Sequence, residues 1–321
     1  MLAAAPVPVA EVVRNGFVEG RHHGSVVALE ADGSVAWSVG AVDVPVLPRS
    51  CAKPLQAVAM VRAGLPLRGE LLALAAASHS GEPFHLEGVR RVLAGAGLTE
   101  DALQTPADLP LDDVERARVL AAGGGATPLA MNCSGKHAAM LATCAVNGWD
   151  TGSYLDPEHP LQRAIAATVA ELTGVPIEVT AVDGCGAPLL STTLTGLARA
   201  FARVATSGEP ALAAVAEAVR EHPAWVSGTR RDEAALLRAL PAAIGKAGAE
   251  ACYAVALVDG RAVALKIDDG GARARPVVMA AALARLGILS EHGVDAAAVQ
   301  ATGRLEVLGG GVPVGSVRAL L

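Results

Sequence analysis

The hydrophobic pattern divides the chain into strand-like ends and a helical middle. In the first part, apolar residues recur at every second position, which is typical of half-buried strands. Ala31-Asp32-Gly33 is a turn signal between two of these runs, and it predicts a hairpin. The strands predicted in this part are Val12–Glu19, Ser25–Glu30 and Ser34–Gly40.

The middle of the chain carries Ala and Leu at spacings of three and four residues. This is the pattern of helices that bury one face. The run Gly123-Gly124-Gly125 interrupts the pattern and predicts a loop. The predicted helices are Ala52–Ala63, Glu70–Ala77, Leu86–Gly95, His137–Val146, Pro160–Thr173 and Ala211–His222.

The last part of the chain returns to strands. Cys252–Val258 and Arg261–Ile267 flank Asp259-Gly260, and together they predict the clearest hairpin of the sequence. The elements predicted after it are a helix at Arg275–Leu286 and strands near Leu305–Leu308 and Val314–Leu320.

The order of strands, helices and strands predicts an α+β fold. Both chain ends are expected to join one antiparallel sheet, with the helical region inserted between them. We predict a single domain over residues 1–321. Its sheet lobe is expected at about residues 10–47 and 250–321, and its mostly helical lobe at about residues 48–249.

Composition and charge exclude several classes of function. With 52% hydrophobic residues, the 321-residue chain can bury a large core, and with only 2% aromatic residues this core must be aliphatic. So few aromatic residues also provide little surface for stacking bases. The formal charge of −6, from 26 basic and 32 acidic residues, argues against nucleic acid or an anionic membrane as a partner.

The cysteines and the apolar runs bear on location. The five cysteines are dispersed and odd in number, which favours reduced thiols in a cytoplasmic protein over a disulfide framework. No apolar run approaches the roughly 18 residues that indicate a membrane span. Met1–Ala10 is apolar but short and lacks basic residues, so we interpret it as a tail or first strand rather than a signal peptide.

The most informative local pattern is Ser50-x-x-Lys53 followed by Pro54. Because proline is tolerated in the first turn of a helix, a helix is expected to begin near Cys51, with Ser50 at its N-cap. Lys53 then lies on the same face as Ser50. This arrangement places a base and free backbone N–H groups beside a serine nucleophile. The alternative is an ordinary N-cap serine with a solvated lysine.

Two further segments fit serine–lysine chemistry. A lysine base needs a lowered pKa, which burial or a second ammonium group supplies. Lys266 ends an apolar strand and precedes glycines, as in the third motif of serine–lysine acyl enzymes, although it can instead pair with Asp268 or Asp269. Ser78 can relay a proton to the leaving group, and Ser80 competes with it for this role. A helix C-cap and turn is an equally good interpretation of that segment.

A third group of residues suggests a metal. Cys133 and Lys136 share a helix face, and Cys185 lies in a glycine-containing loop. Two thiolates can bind a soft divalent ion such as zinc, with His137 or Asp183 completing the shell. A metal-bound lysine is unusual because it must be neutral. From these residues alone, two buried thiols in a reduced core are the favoured interpretation.

Six motifs in order give the chain a resemblance to a known family. It resembles the asparaginase II family, the Rhizobium-etli-type or class 3 L-asparaginases, from about residue 10 to the C-terminus. The Cys-Ser-Gly-Lys-His block is its most specific part. The motifs are Pro48-Arg49-Ser50-x-x-Lys53-Pro54, Ala77-Ser78-His79-x-Gly81-Glu82, Asn132-Cys133-Ser134-Gly135-Lys136-His137, Asp183-Gly184-Cys185-Gly186, Lys246-x-Gly248-Ala249-Glu250 and Leu265-Lys266-Ile267-Asp268-Asp269-Gly270.

The resemblance implies a fold similar to serine β-lactamases and glutaminases. It implies hydrolysis of L-asparagine to L-aspartate and ammonia by a homodimer, with zinc and no organic cofactor. The implied site residues are Ser50 as nucleophile, Lys53 as its base, Ser78 and Lys266 as a second serine–lysine pair, and Cys133, Lys136 and Cys185 as zinc ligands.

The substrate's α-ammonium and α-carboxylate groups need partners of opposite charge. Arg49 and Asp183 match family positions that line the pocket, and Asp268 is a second acidic candidate. His79 and Gly270, from the same motifs, are further candidates for contact with the substrate.

The sequence leaves two alternative functions open. One methylene group is worth only about 1–3 kcal/mol of discrimination, so a glutaminase or another small-amide hydrolase is the nearest alternative. The other is a non-catalytic zinc or thiol sensor, which needs the thiols but not Ser50, Lys53 or Lys266.

Overall fold

Ten strands and twelve helices make up the part of the chain that the structure describes. It is a computed structural model, and it describes residues 7–321. The strands are β1 (Val7–Arg14), β2 (Phe17–Leu29), β3 (Val35–Val39), β4 (Thr180–Val182), β5 (Pro188–Leu190), β6 (Ala243–Ala247), β7 (Cys252–Leu257), β8 (Ala262–Ile267), β9 (Leu305–Gly309) and β10 (Val312–Ala319). The helices are α1 (Lys53–Arg62), α2 (Gly69–Ala75), α3 (Pro83–Gly95), α4 (Asp113–Ala121), α5 (Ser134–Asn147), α6 (Pro160–Thr173), α7 (Leu194–Thr206), α8 (Pro210–Glu221), α9 (Pro223–Val226), α10 (Asp232–Ala239), α11 (Arg275–Arg285) and α12 (Ala296–Thr302).

Both ends of the described chain meet in one antiparallel sheet. Its strand order is β6-β7-β8-β2-β1-β10-β9, and β3 pairs with the second half of β2. The first and last strands are neighbours, with Ala10 opposite Ala319. The α+β architecture predicted from the sequence is therefore confirmed.

Strand β6 forms one edge of this sheet and positions the site. It lies within residues 48–249, which the sequence assigned to a mostly helical lobe, yet it pairs with β7 along its whole length. It also packs against a 3-10 turn at Arg49–Ala52, which directly precedes α1. The sheet edge is thereby joined to the helical layer at the residues of the Ser50-x-x-Lys53 motif.

The strands β6, β7 and β8, at one end of the sheet, are buried on both faces. All residues of β6 and β7 are buried, and so is nearly all of β8, which explains their continuous apolar sequences. Helix α7 packs against β2, β7 and β8, and α11 packs against β1, β8 and β10. The remaining core is formed by helices rich in Ala and Leu, in which α1 contacts α5, α6 and α8.

The strand predicted at Val12–Glu19 is wrong. The chain instead turns at Asn15 and Gly16, whose φ angles of +48° and +81° are both left-handed, and β1 and β2 pair on either side. Asn-Gly is the strongest two-residue hairpin signal, because both residues tolerate positive φ. The apolar alternation on both sides concealed this turn, and the strand expected at Ser25–Glu30 is the end of the longer β2.

Several helices were not predicted from the pattern: α4, α7, α9, α10 and α12. Helix α7 had a readable start signal, because Thr193 caps it by accepting a hydrogen bond from the backbone N–H of Gly196. Of the N-terminal segment Met1–Ala10, residues 7–10 belong to β1, and residues 1–6 lie outside the described residues. Among residues 7–321, every helix is too short or too polar to cross a membrane.

Candidate active site

Ser50 lies in the 3-10 turn that leads into α1. The N-cap role expected for it is not found, because neither this turn nor α1 has a side-chain cap. Pro54 stands in the first turn of α1, as predicted. Arg49, just before the serine, has a φ of +52°, which is uncommon for a residue other than glycine. Such backbone strain is concentrated at functional sites.

Lys53 is buried and connects three parts of the site. Its Nζ donates to the Ala77 carbonyl at 2.6 Å, to Ser78 Oγ at 2.9 Å and to Cys133 Sγ at 3.0 Å. These three bonds use the three N–H groups of an ammonium. No described hydrogen bond joins Lys53 to Ser50, so in this arrangement the lysine is linked to the second serine rather than to the first.

The position of Ser78 separates it from its competitor Ser80. Both serines line the same cavity as Ser50. Ser80 Oγ, however, donates to the carbonyl of Ser227 at 2.9 Å and makes no described bond to a lysine. Only Ser78 is therefore placed to exchange a proton with Lys53.

The cavity in front of these serines has a volume of about 470 Å³. Part of its wall is the segment after β6, where Glu250 and Ala251 have φ angles of +55° and +50°. The backbone N–H groups of Ser50 and Ala249 donate no hydrogen bond within residues 7–321. Two free donors on the cavity wall can hold an oxyanion. The other lining residues include Leu111, Asp112, Asp113, Asn132, Arg231, Gly248, Gly270 and Arg275.

A second buried lysine, to which the sequence assigned no role, stands behind this wall. Lys246 of β6 is fully buried, and its Nζ donates to both carboxylate oxygens of Glu233, at 2.9 and 3.1 Å. The pKa of Lys246 is lowered to about 8. Burial is the main cause, the positive charge of Lys53 also lowers the pKa, and the charge of Glu233 raises it. The sequence signal that could have pointed to Lys246 as a site residue was its motif, a lysine followed after one residue by Gly248.

The structure does not place Lys266 beside Ser78. Lys266 lies on β8, which β7 separates from the edge strand β6, and its Nζ donates to the Glu250 carbonyl at 2.8 Å. It lines a separate cavity together with Arg49. Asp268 directly follows the end of β8. It lines a shallow surface depression with Arg21 and His23, away from the serines.

The expected substrate-binding residues fall into different places. Arg49 is neutralised by Asp183, at 2.8 Å from Nε, and by Glu250, at 3.6 Å from Nη1. It lines the neighbouring cavity rather than the one in front of Ser50. Gly270 does line the cavity in front of Ser50, which is called the main cavity below. Its φ is +71°, and a Cβ at this position would overlap the Glu250 carboxylate.

His79 is a structural residue. Its Nδ1 accepts from the Gly81 backbone at 3.2 Å, and its Nε2 lies 2.8 Å from Ser134 Oγ. Burial keeps the pKa of His79 well below its ordinary value, so the ring is neutral. It does not line the cavity, and it fixes the turn after Ser78 against the start of α5.

The structure brings Cys133, Lys136 and Cys185 together. Lys136 Nζ lies 3.1 Å from Cys185 Sγ. The hydrogen bond from Cys133, followed by the charge of Lys136, lowers the pKa of Cys185, and the same hydrogen bond and burial raise the pKa of Cys133. This cluster adjoins the serines through the bond from Lys53 to Cys133.

The comparison with protein families decides the class of the protein. The model of the L-asparaginase II family matches residues 10–319. The chain belongs to the asparaginase II family. It is therefore an asparaginase-type amidohydrolase, as the sequence resemblance implied. The comparison with curated proteins gives no match.

Solved structures similar to this family member include a β-lactamase. That protein, from Mycobacterium bovis, shares 15% identity at a TM-score of 0.45, with 82% of this chain and 94% of that chain covered. Mglu in its tris and glutamate form shares 16% identity at a TM-score of 0.36, with 88% and 63% covered. At these scores the likeness carries no inference about function.

The thiol cluster of this asparaginase II family member fits a zinc ion by its donor set. Thiolate sulfur and nitrogen are the donors that zinc prefers. His137 Nε2 is a buried nitrogen without a hydrogen-bond partner next to Cys185, whereas His137 Nδ1 is bonded to Tyr154. Burial lowers the pKa of His137 to about 4, so its ring is neutral. Within residues 7–321 no three His, Cys, Asp or Glu residues are arranged to hold a metal ion by themselves, so Lys136 would have to supply a further donor.

Proposed function

We propose that this amidohydrolase converts L-asparagine to L-aspartate and ammonia, with Ser50 as the nucleophile. The observation that carries the proposal is the shared cavity of Ser50 and Ser78, with Lys53 bonded to Ser78 from behind. The two serines and the lysine are the parts needed for amide hydrolysis through a covalent intermediate. An ester on Ser50 divides one difficult displacement into two easier ones.

In the first step, Ser50 Oγ forms a bond to the side-chain amide carbon of the substrate. The proton of Ser50 passes through Ser78 to the neutral form of Lys53, because Lys53 bonds to Ser78 and not directly to Ser50. The amide C–N bond then breaks, and Lys53 returns a proton through Ser78 to the departing nitrogen, which leaves as ammonia. In the second step, water attacks the carbonyl carbon of the aspartyl ester and loses a proton to Lys53. The ester bond to Ser50 Oγ then breaks, Lys53 returns that proton to Ser50 Oγ, and L-aspartate leaves.

The negative oxygen that forms in each step needs donors that are already in place. Ser50 and Ala249 both line the cavity, and their backbone N–H groups donate to nothing else described. We assign them as the oxyanion hole. Such donors contribute about 3–4 kcal/mol each to the stabilisation of the transition state.

Lys246 takes the role that the family resemblance assigned to Lys266. Two nearby ammonium groups disfavour each other's protonation, so they titrate as a pair. The lowered pKa of Lys246 reflects burial and the charge of Lys53. The charges of Lys246 and Lys53 repel each other, and we assign Lys246 as the second lysine of the site.

Cys133, Lys136 and Cys185, with the His137 ring beside them, are the residues that would hold zinc. Burial opposes the charge of Lys136, but the neighbouring Cys185 and Cys133 raise its pKa, so its proton must leave before it can bind a metal. When bound, zinc supplies a Lewis acid for the polar head group of the substrate. A homodimer and a cytoplasmic location stay predictions of the sequence.

The test is ammonia release from L-asparagine and L-glutamine, measured side by side. Ser50→Ala is expected to abolish release while the circular dichroism spectrum stays native. Ser290→Ala, the same change in an exposed turn, is the control. Substantial release by Ser50→Ala would remove Ser50 as nucleophile. Release from L-glutamine alone would make the enzyme a glutaminase, and zinc binding without any release would favour a thiol-metal sensor.

A further inference from the structure

We propose that Arg231 binds the α-carboxylate of the substrate, an inference that rests on the proposed function. Arg231 lines the cavity that contains Ser50 and Ser78. Within residues 7–321 its guanidinium makes no described hydrogen bond or ion pair. A half-buried guanidinium that faces an enzyme cavity without a partner is suited to a carboxylate, which it can grip with two parallel hydrogen bonds.

The other cations around this cavity already have partners. Arg275 donates to both oxygens of Asp232, at 2.8 and 2.6 Å, and Lys246 is paired with Glu233. Arg49, the candidate from the sequence, is held by Asp183 at 2.8 Å and faces another cavity. A carboxylate that enters the main cavity therefore meets one cation whose charge is not already compensated.

The segment that leads to Arg231 is firmly anchored. Ser80 donates to the Ser227 carbonyl, and both the backbone and the hydroxyl of Thr229 donate to the buried carboxylate of Glu82, at 2.8 and 2.7 Å. At Gly228, with a φ of +148°, a Cβ would collide with the Ser80 side chain, so this approach requires glycine.

The neighbour of Arg231 completes the anchoring. Arg230 donates to Asp112 Oδ1 and Glu115 Oε1, both at 2.8 Å. The two consecutive arginines therefore have different surroundings. Arg230 is paired with two carboxylates, whereas Arg231 lines the cavity without a described partner. The fixed backbone reduces the entropy that Arg231 loses when it binds an anion. It also sets the distance between the carboxylate site and Ser50, which selects the length of the substrate.

The α-carboxylate contact would explain selection of α-amino acid amides over simple amides. The test uses Ser50→Ala as background, so that binding is measured without turnover. Titration calorimetry compares L-asparagine with 3-aminopropanamide, the same molecule without its α-carboxylate. Arg231→Ala is expected to weaken the affinity for L-asparagine about 10- to 150-fold, the range for a charge-assisted hydrogen bond. The affinity for 3-aminopropanamide should change by less than about threefold.

Two further variants separate binding from folding. Arg231→Lys keeps the charge but loses the planar fork, so it should recover part of the affinity. Arg273→Ala, which removes an exposed arginine from the same region without lining the cavity, should leave both affinities unchanged. Equal weakening of both ligands by Arg231→Ala, or no weakening of L-asparagine, overturns the proposal. So does failure of the Ser50→Ala protein to bind L-asparagine.

This design distinguishes the inference from the reaction on which it rests. If the unmodified enzyme releases no ammonia, but the Ser50→Ala protein binds L-asparagine in a way that depends on Arg231, the carboxylate site stands and the reaction is wrong. If ammonia is released and Arg231→Ala does not alter binding, the reaction stands and the carboxylate site is wrong.

Discussion

Replacing Lys246 with methionine tests the buried lysine most directly. Lys246 and Glu233 are both fully buried, and their atoms meet at 2.9 and 3.1 Å. Removal of the lysine leaves a carboxylate in the core without its counter-charge, which typically costs about 3–5 kcal/mol of unfolding free energy. Since a whole domain is stabilised by only about 5–15 kcal/mol, Lys246→Met should unfold at a much lower urea concentration.

The double variant Lys246→Met/Glu233→Leu separates stability from catalysis. Replacing both members of a buried ion pair with apolar residues is often neutral or stabilising, so the double variant should regain most of the lost free energy. It should not regain ammonia release, because no second ammonium group then acts on Lys53. Urea unfolding followed by circular dichroism, together with ammonia release, measures both quantities. A double variant that recovers full turnover would refute the catalytic role of Lys246.

The pH dependence follows from the direction of the Lys246 shift. Its pKa is about 8 in the folded protein, below the ordinary 10.5. Between these values the unfolded chain binds the proton that the folded protein has lost, so stability rises with pH in this window. The difference of about 2.5 units corresponds to roughly 3 kcal/mol. The stability of the unmodified protein relative to the double variant should therefore rise between pH 8 and pH 10, and a flat difference would contradict the buried lysine.

Three further changes test the rest of the site. Ser78→Ala should lower kcat about 100-fold or more, as expected when a proton relay is lost. Ser80→Ala should mainly lower the free energy of unfolding, by about 1 kcal/mol. Equal losses of kcat in the two variants would reject Ser78 as the relay. Lys266→Ala should change kcat less than about threefold, because Lys266 lines the neighbouring cavity and not the one in front of Ser50. A larger loss in the same ammonia assay would show that Lys266 acts in the reaction. Cys185→Ser should abolish bound zinc in metal analysis of the purified protein. Cys144→Ala, which removes another buried thiol, should retain it. Equal zinc content in the two variants would show that the thiol cluster is not the metal site.

The local rules predicted the parts of the site that depend on neighbours in sequence. Pro54 indicated the first turn of α1 and hence the place of Ser50 and Lys53. The Asp259-Gly260 turn predicted the hairpin of β7 and β8. These features follow from dihedral restrictions and hydrophobic period, which act over a few residues. The same rules failed at the Asn15 turn, where apolar residues on both sides concealed the reversal.

The pairing of charges over long distances was not readable from the sequence. Lys246 and Lys266 both follow apolar strands, and both belong to motifs of the asparaginase II resemblance. Which one stands near Ser50 depends on strand order, because β6 is the edge that meets the helical layer and β8 lies two strands further in. Likewise, Arg231 and Arg49 are equivalent as sequence letters, and only the folded neighbours leave the first free and neutralise the second.

The sequence by itself determined the α+β fold class, the aliphatic core, the serine–lysine motif and the thiols, because each depends on composition or on local geometry. The tertiary structure decided which lysine is buried, which serine it joins and which arginine remains without a partner. These properties depend on desolvation and on Coulomb interactions over a few ångströms, between groups that the chain brings together only when the sheet edge closes on the helices.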